Sequence, residues 1–160
     1  MSSTQIERLT DITSDAILCG MEIVQDTNVF VAALRSQEGA SAGVLDRCLA
    51  RNDQAIMGVA LFAEYEELVQ RERLWRGVPV TAAEREALLD DFCAAAIWQP
   101  IYFRWRPNLP DADDDLVLEL AIAGGAEHLV THNTRDFGRG ELKFAWPRVV
   151  TPAQHLRFVK

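Results

Sequence analysis

The sequence predicts an α/β fold, a central and mostly parallel sheet flanked by helices. Two observations predict it. From Met21 onward, short apolar runs of β-type residues alternate with longer helical patterns. The strand-like runs are nearly continuous in apolar residues, as strands covered on both faces are. No internal repeat or low-complexity segment interrupts the alternation.

Residues 1–20 are polar at first and lack a clear period. They read as an N-terminal appendage to a domain over residues 21–160. Glu22 to Gln25 reads as the first strand, and Val29 to Arg35 as a helix. Ser41 begins another helix, with Val44, Leu45, Cys48 and Leu49 on one side. Ala55 to Gly58 is the second strand. Leu61 to Arg73 is helical, with Ala60, Leu61 and Leu68 marking its core side. Thr81 and Glu84 form a capping box, in which side chains satisfy backbone N–H groups at a helix start. The helix that follows carries Leu88, Leu89, Phe92, Cys93 and Ala96. Pro100 to Phe103 is the third strand candidate, Asp114 to Ala123 a helix, His128 to Thr131 the fourth strand and Arg148 to Val150 a fifth. Thr151-Pro152 matches an N-cap followed by Pro at the first helical position, opening a last helix through Leu156.

A length of 160 residues fits one domain, and a hydrophobic share of 49% is enough for a core. The chain has 16 basic and 24 acidic side chains, a formal charge of −8. That argues against a polybasic nucleic-acid binder, whose affinity rests on neutralising phosphates. It leaves room for an enzyme that meets phosphate through a metal ion. Cys19, Cys48 and Cys93 are too few and too scattered for a disulfide framework or a zinc ribbon. An odd count without a secretory signal points to a reducing, cytoplasmic setting. The longest apolar stretch, Ala55 to Ala63, falls far short of the roughly 20 residues of a membrane span.

In open α/β sheets ligands bind beyond the carboxyl ends of the strands. Asp26, Thr27 and Asn28 follow strand one. Glu64 lies shortly after strand two. Asp111, Asp113, Asp114 and Asp115 follow the third strand candidate, past the loop Arg106 to Pro110. Asn133 and Asp136 follow strand four. Acids gathered in one cleft repel one another unless a cation joins them. Hard oxygen donors without Cys or His favour Mg²⁺ or Mn²⁺ over zinc. The residues therefore point to metal-dependent phosphoryl chemistry.

Each acid also has an ordinary reading. Asp26 can cap the next helix, and Asn28 can be a turn residue. Glu67 and Arg71 are an i, i+4 pair of the kind found on solvated faces, with Glu64 beside them. Acids at a helix N-terminus gain roughly 0.3–1 kcal/mol each from the helix dipole. Four in five positions exceed that need. Asp136 can belong to a surface turn with Arg135. Four independent coincidences are less plausible than one shared site.

Rival motifs fail. Leu116 and Ile122 stand where a calcium-binding EF-hand loop needs Gly and Glu. No glycine-rich dinucleotide motif or Walker A sequence is present. His128 reads as a sheet-surface residue rather than a ligand. Ser41, Cys48 and Cys93 have no His or acid placed for a nucleophilic dyad. Trp75, Trp98, Trp105 and Trp146 look like core or rim aromatics. Arg104-Trp105-Arg106 interleaves charge and aromatic as a nucleic-acid contact does, and equally as a strand end does.

Four segments carry a family resemblance. Val24-Gln25-Asp26-Thr27-Asn28-Val29-Phe30 resembles the opening motif of the PIN-domain ribonucleases. Leu61-Phe62-Ala63-Glu64-Tyr65 is similar to their second acidic motif. Asp111 to Ala121 resembles the third, and Leu129 to Phe137 the fourth. The resemblance runs from about Met21 to Pro152. It implies a PIN-like three-layer α/β sandwich and Mg²⁺- or Mn²⁺-dependent hydrolysis of single-stranded RNA, leaving a 5′-phosphate. Many small members resemble VapC-type toxins of toxin–antitoxin pairs, so it also implies a cognate antitoxin and a homodimer. Carried over by motif, Asp26, Glu64, Asp114 and Asp136 form the catalytic and metal-binding set, with Asp115 the near alternative to Asp114. Asn28, Thr131 and Asn133 are polar support. The chain departs from the pattern in its residues before Met21, in Ala112 where Pro is common, and in Asn133 where many members have Asp. The last puts a second metal in doubt.

Two other readings compete. A haloacid-dehalogenase-type phosphatase also uses an Asp after strand one, but wants a second Asp where Asn28 stands. A catalytically degenerate PIN-like module would grip RNA or a partner without cutting. Charge is unevenly placed: Arg135 to Lys160 hold six basic and two acidic side chains, a local +4.

Overall fold

The computed structural model describes residues 20–102, 109–140 and 145–160. The expected appendage as far as Cys19, and the segment Arg104-Trp105-Arg106, lie outside the described residues. In chain order the elements are β1 (Glu22–Gln25), α1 (Thr27–Arg35), α2 (Ala40–Leu49), β2 (Gln54–Met57), α3 (Val59–Gln70), a 3₁₀ turn (Glu72–Trp75), α4 (Ala82–Ala95), β3 (Ile97–Trp98), α5 (Ala112–Ala123), β4 (His128–Val130), α6 (Thr134–Phe137), β5 (Arg148–Val150) and α7 (Pro152–Phe158).

The five strands form one parallel sheet in the order β3-β2-β1-β4-β5. Helices lie against it, which is the expected α/β class. Because every strand runs the same way, every strand delivers its following loop to one end of the sheet. Strand order reverses beside β1, so the β1–β4 boundary is where such folds open a crevice. Ile23 and Val24 in β1, Ala55 to Met57 in β2 and Leu129 and Val130 in β4 are all at most 2% exposed. That explains their continuous apolar pattern.

The helix caps follow the sequence closely. The Thr81 hydroxyl accepts from the Glu84 amide while the Glu84 carboxylate accepts from the Thr81 amide. Thr151 and Gln154 repeat this, with Pro152 first in the helix. The α5 helix begins at Ala112, two residues before its expected start, because Asp111 is the cap and accepts from the Asp113 amide at 3.0 Å. It stops at Gly124, followed by Gly125 at φ 72°, the left-handed region that glycine enters without strain.

Three expectations need correction, and one element has no counterpart in the sequence reading. The third strand is Ile97–Trp98, and Pro100 to Tyr102 of the expected run Pro100 to Phe103 are not in a strand, Phe103 lying outside the described residues. The Gln99 amide still donates to the Met57 carbonyl at 2.8 Å, but Pro100 has no N–H with which to continue the ladder. The short helix α6 carries too little sequence for a period to show. His128 is not a sheet-surface residue: it is 1% exposed, with Nδ1 2.9 Å from Nδ1 of His155 on α7. Ser41 does have a histidine: its Oγ lies 2.8 Å from Nε2 of His132.

One aromatic cluster positions the functional end. Phe30 of α1, Tyr65 of α3 and Phe92 of α4 meet with ring centroids 4.9–5.9 Å apart. Burying each such side chain stabilises the fold by roughly 1.5–3 kcal/mol. The Tyr65 hydroxyl donates to the Gln25 carbonyl at 2.7 Å, just before Asp26. Leu61, Tyr65 and Val69 form the buried stripe of α3, with Ala60 and Leu68 only half-buried at its margin. That places Glu64 on the flank of the stripe, facing the crevice.

Candidate active site

Asp26 ends β1, and its amide extends the ladder to the Val130 carbonyl at 2.9 Å. It occupies the N-cap position of α1, yet its side chain makes no capping hydrogen bond. The carboxylate turns across the sheet instead. Oδ2 accepts from the Thr131 hydroxyl at 2.7 Å and from Asn28 Nδ2 at 2.8 Å. Asn28 also donates to Thr131 Oγ1 at 3.1 Å and accepts from the His132 amide at 3.1 Å. Thr131 Oγ1 accepts from the Asn133 amide at 3.0 Å. The ends of β1 and β4 are thus stitched together around one carboxylate. A capping role does not account for that arrangement.

Asp26, Glu64, Asp113 and Asp114 line a single pocket of about 300 Å³. Glu67 and Arg71, the pair expected on a solvated face, line it as well. Glu64 Oε1 is buried and makes no hydrogen bond among the described residues. Burial, then the charges of Asp113 and Asp26, push the Glu64 carboxyl up to about 7. Burial, then Asp26, Asp111 and Asp136, push Asp114 up to about 6. Both acids sit where their charged forms lack compensation.

The Asp run divides its labour by helical geometry. Asp111 caps, Asp113 and Asp114 face the pocket, and Asp115 turns inward. Asp115 is 8% exposed and its Oδ1 accepts from the Leu109 amide at 2.9 Å. Asp136 lies outside the pocket lining. It accepts from Asn133 Nδ2 and pairs with Arg139 at 3.5 Å, while its charge reaches Asp114. Sequence reasoning brought Asp113 to this end of the sheet without assigning it to the site, and missed Glu67 and Arg71 as pocket residues. The signal was present: Glu64, Glu67 and Arg71 stand at i, i+3 and i+7, one stripe of a helix.

Among the described residues no group of three or more His, Cys, Asp or Glu side chains is already drawn together as a metal cage. The donor chemistry nonetheless suits a hard divalent cation: carboxylate oxygens only, one of them buried and unpartnered, two of the acids raised. A larger groove of about 470 Å³ between α1, α2 and α4 is lined mainly by apolar side chains and gathers no comparable set. Cys48 and Cys93 are unpaired thiols, both pushed up by burial, to about 12 and about 11. No described helix is long and apolar enough to cross a membrane.

The family model described as PIN domain matches residues 22–135, well over half of the chain. The chain belongs to the PIN-domain family. The matched span contains Asp26, Glu64, Asp114, Asp115, Asn28, Thr131 and Asn133, and ends one residue before Asp136. Among solved structures, the chain is similar to one from the crystal structure of VapBC2 from Rickettsia felis bound to a DNA fragment from their promoter. The TM-score is 0.55 at 19% identity, over 81% of this chain and 97% of that one. This similarity is one of fold. No curated protein sequence matches the chain.

Proposed function

We propose that this PIN-domain protein is a metal-dependent endoribonuclease that hydrolyses single-stranded RNA, and the toxin of a toxin–antitoxin pair. The observation that carries the reading is uncompensated negative charge. A buried, unpartnered Glu64 oxygen shares one pocket with Asp26 and Asp114, beyond the carboxyl ends of a parallel sheet. Asp26, Glu64 and Asp114 would hold Mg²⁺ or Mn²⁺. A bound divalent ion supplies the positive charge that draws in phosphate and acidifies a water.

The chain's own residues supply the geometry. Thr131 and Asn28 fix Oδ2 of Asp26, and the Thr27 hydroxyl reaches its Oδ1 at 3.4 Å. Burial makes Glu64 and Asp114 poor at holding charge alone and therefore receptive to a cation. Asp115 is engaged with the Leu109 backbone, so Asp114 is the ligand of the two. Asp136, held by Asn133, tunes Asp114 and orients the attacking water. In-line addition of that water to phosphorus breaks the P–O3′ bond, leaving a 5′-phosphate and a 3′-hydroxyl.

An antitoxin partner, a cytoplasmic setting and a homodimer belong to the same reading. The likeness in fold to a chain of VapBC2 supports the first. The exposed apolar side chains Val59, Ile97, Trp98 and Tyr102 support self-association. Light scattering that finds a monomer at micromolar concentration removes the dimer.

The test of activity is cleavage of labelled single-stranded RNA in Mg²⁺ or Mn²⁺. Cleavage is expected to vanish in EDTA and in Asp26→Asn. Turnover that persists in either condition overturns the assignment. RNA affinity without any metal-dependent turnover would identify a binding module instead. A covalent aspartyl-phosphate on Asp26 would identify a phosphatase.

A further inference from the structure

The acid pocket carries a problem that its carboxylates cannot solve. A nucleic-acid strand brings a row of phosphates, and a metal at Asp26, Glu64 and Asp114 neutralises charge at one place only. Arg71 is the one cationic side chain that lines the pocket among the described residues. It stands at the C-cap of α3, seven residues after Glu64, about 10 Å further along the helix axis. Its amide closes the helix on the Leu68 carbonyl at 3.3 Å, which anchors its backbone. One amino group pairs with Glu67, which lines the same pocket. The rest of the guanidinium makes no hydrogen bond among the described residues.

We propose that Arg71, parked on Glu67 at the pocket mouth, binds a phosphate of the RNA strand next to the one being cleaved. This inference rests on the nuclease reading and adds a substrate-binding residue to it. The guanidinium presents a planar fork of donors that matches two phosphate oxygens. Glu67 sets where that fork sits and, being half of an exposed pair, gives it up at little cost. The axial offset from Glu64 separates the Arg71 contact from the metal end. Arg71 therefore holds the strand in register rather than taking part in bond breaking.

The experiment compares wild type, Arg71→Gln, Arg71→Lys and Arg73→Gln. Arg73 is an exposed arginine of the same segment that does not line the pocket. Three quantities are measured: affinity for a short mixed-sequence single-stranded RNA by fluorescence anisotropy over a salt series, Mn²⁺ affinity by calorimetry, and KM and kcat for cleavage. Arg71→Gln is expected to weaken RNA binding about tenfold, the loss of one charged hydrogen-bonded contact. It should flatten the slope of log affinity against log salt by about 0.7, one phosphate of a single strand. KM should rise while kcat and Mn²⁺ affinity hold. Arg71→Lys should restore the slope but not the full affinity, because a lysine keeps the charge and loses the fork. Arg73→Gln should change neither.

An unchanged salt slope in Arg71→Gln overturns the proposal, as does an equal flattening in Arg73→Gln. If Arg71→Gln fails to fold, Arg71→Lys decides: RNA affinity equal to wild type there overturns it too, because the guanidinium fork would then contribute nothing. Wild type that binds RNA in Mn²⁺ but never cleaves removes the nuclease reading while the slope comparison still judges Arg71. Wild type that binds no RNA at all removes both.

Discussion

Two carboxylates, one buried and one half-buried, sit at opposite ends of the same sheet, and their surroundings are opposite. Asp53 precedes β2 at the end where the strands begin. It is 1% exposed and fully engaged: Arg47 Nε donates at 2.6 Å and Nη2 at 3.1 Å, the Met21 amide at 3.0 Å and His155 Nε2 at 3.0 Å. Burial pushes its carboxyl up, but these donors outweigh burial and hold it well below the usual carboxylate range. Glu64 lies at the other end, half-buried, with one oxygen unpartnered and acids for neighbours. It is pushed up to about 7. Burial alone does not distinguish a structural acid from a functional one. The number of donors separates them on the proposed reading: where the chain supplies enough, the acid holds the fold, and where it supplies too few, a cation is proposed to complete it.

The largest effect expected from this contrast is on stability. Asp53→Asn removes the charge that Arg47 and His155 both point at, and should cost about 3 kcal/mol, since breaking a buried pair strands its partners. Urea denaturation measures it. Mn²⁺ affinity of the folded variant should be unchanged. A variant that keeps full stability would break the comparison at its structural end.

Glu64→Gln should behave in the reverse way. Without metal it removes a charge that its site does not compensate, and should stabilise the protein by about 1 kcal/mol after allowing for water in the pocket. In Mn²⁺ at a hundred times its dissociation constant, wild type should gain about 2.7 kcal/mol. The variant should lose most of that gain. Thermal melting in EDTA and in Mn²⁺ gives both numbers. A Glu64→Gln protein that is less stable in EDTA would mean that Glu64 holds the fold after all.

The two ends should also answer acid with opposite signs. His128 sits behind Asp53: His155 Nε2 lies 3.0 Å from Asp53 Oδ2, and its Nδ1 lies 2.9 Å from Nδ1 of His128. Burial, then the neighbouring His155, lower the His128 pKa; Glu127 and Asp53 oppose this and Arg148 adds to it. A histidine lowered by folding contributes stability that is present above its unfolded value of about 6.5 and is lost as pH falls. Glu64 is raised from 4.5 to about 7, so in metal-free protein acidification across that window relieves it and adds stability. Asp114, raised to about 6, acts in the same direction, so wild type in EDTA should hold or gain stability between pH 7 and 5, while Glu64→Gln should fall progressively below it. Parallel curves for the two proteins would refute the assignment of opposite signs.

The contrast also explains what the sequence could and could not disclose. The sheet was legible because Ile23, Val24, Ala55, Ile56, Leu129 and Val130 are buried on both faces and leave unbroken apolar runs. Asp26, Glu64 and Asp114 were legible because parallel strands sort their following residues to one end. The Asp53 network was not. Its members come from before β1, from α2, β4 and α7, and no spacing links them. His128 was misjudged for that reason, because a buried histidine is recognised by its partner and His155 is 27 residues away. Arg71 and Glu67 were misjudged for the opposite reason. Their local i, i+4 pairing was real, but its ordinary meaning hid the pocket on which the pair opens.

The smallest expected effect falls where the two kinds of environment meet. Thr131 is fully buried, and its hydroxyl is satisfied in three directions, to Asp26, Asn28 and the Asn133 amide. By the donor count it belongs to the structure, yet the carboxylate it serves belongs to the pocket. Thr131→Val keeps the shape and removes the hydroxyl, leaving the Asn133 amide without that partner. The fold should lose about 1 kcal/mol, the net worth of such hydrogen bonds. Asp26 keeps Asn28 as a donor but loses its orientation across the sheet, so Mn²⁺ affinity should fall about tenfold, as it does when groups that hold metal ligands are removed. Thr131→Ser should restore both. Calorimetric Mn²⁺ titration beside urea melts separates the two losses. A valine variant that loses stability and keeps its metal affinity would place Thr131 wholly with the scaffold, and Asp26 would then be oriented by Asn28 and Thr27.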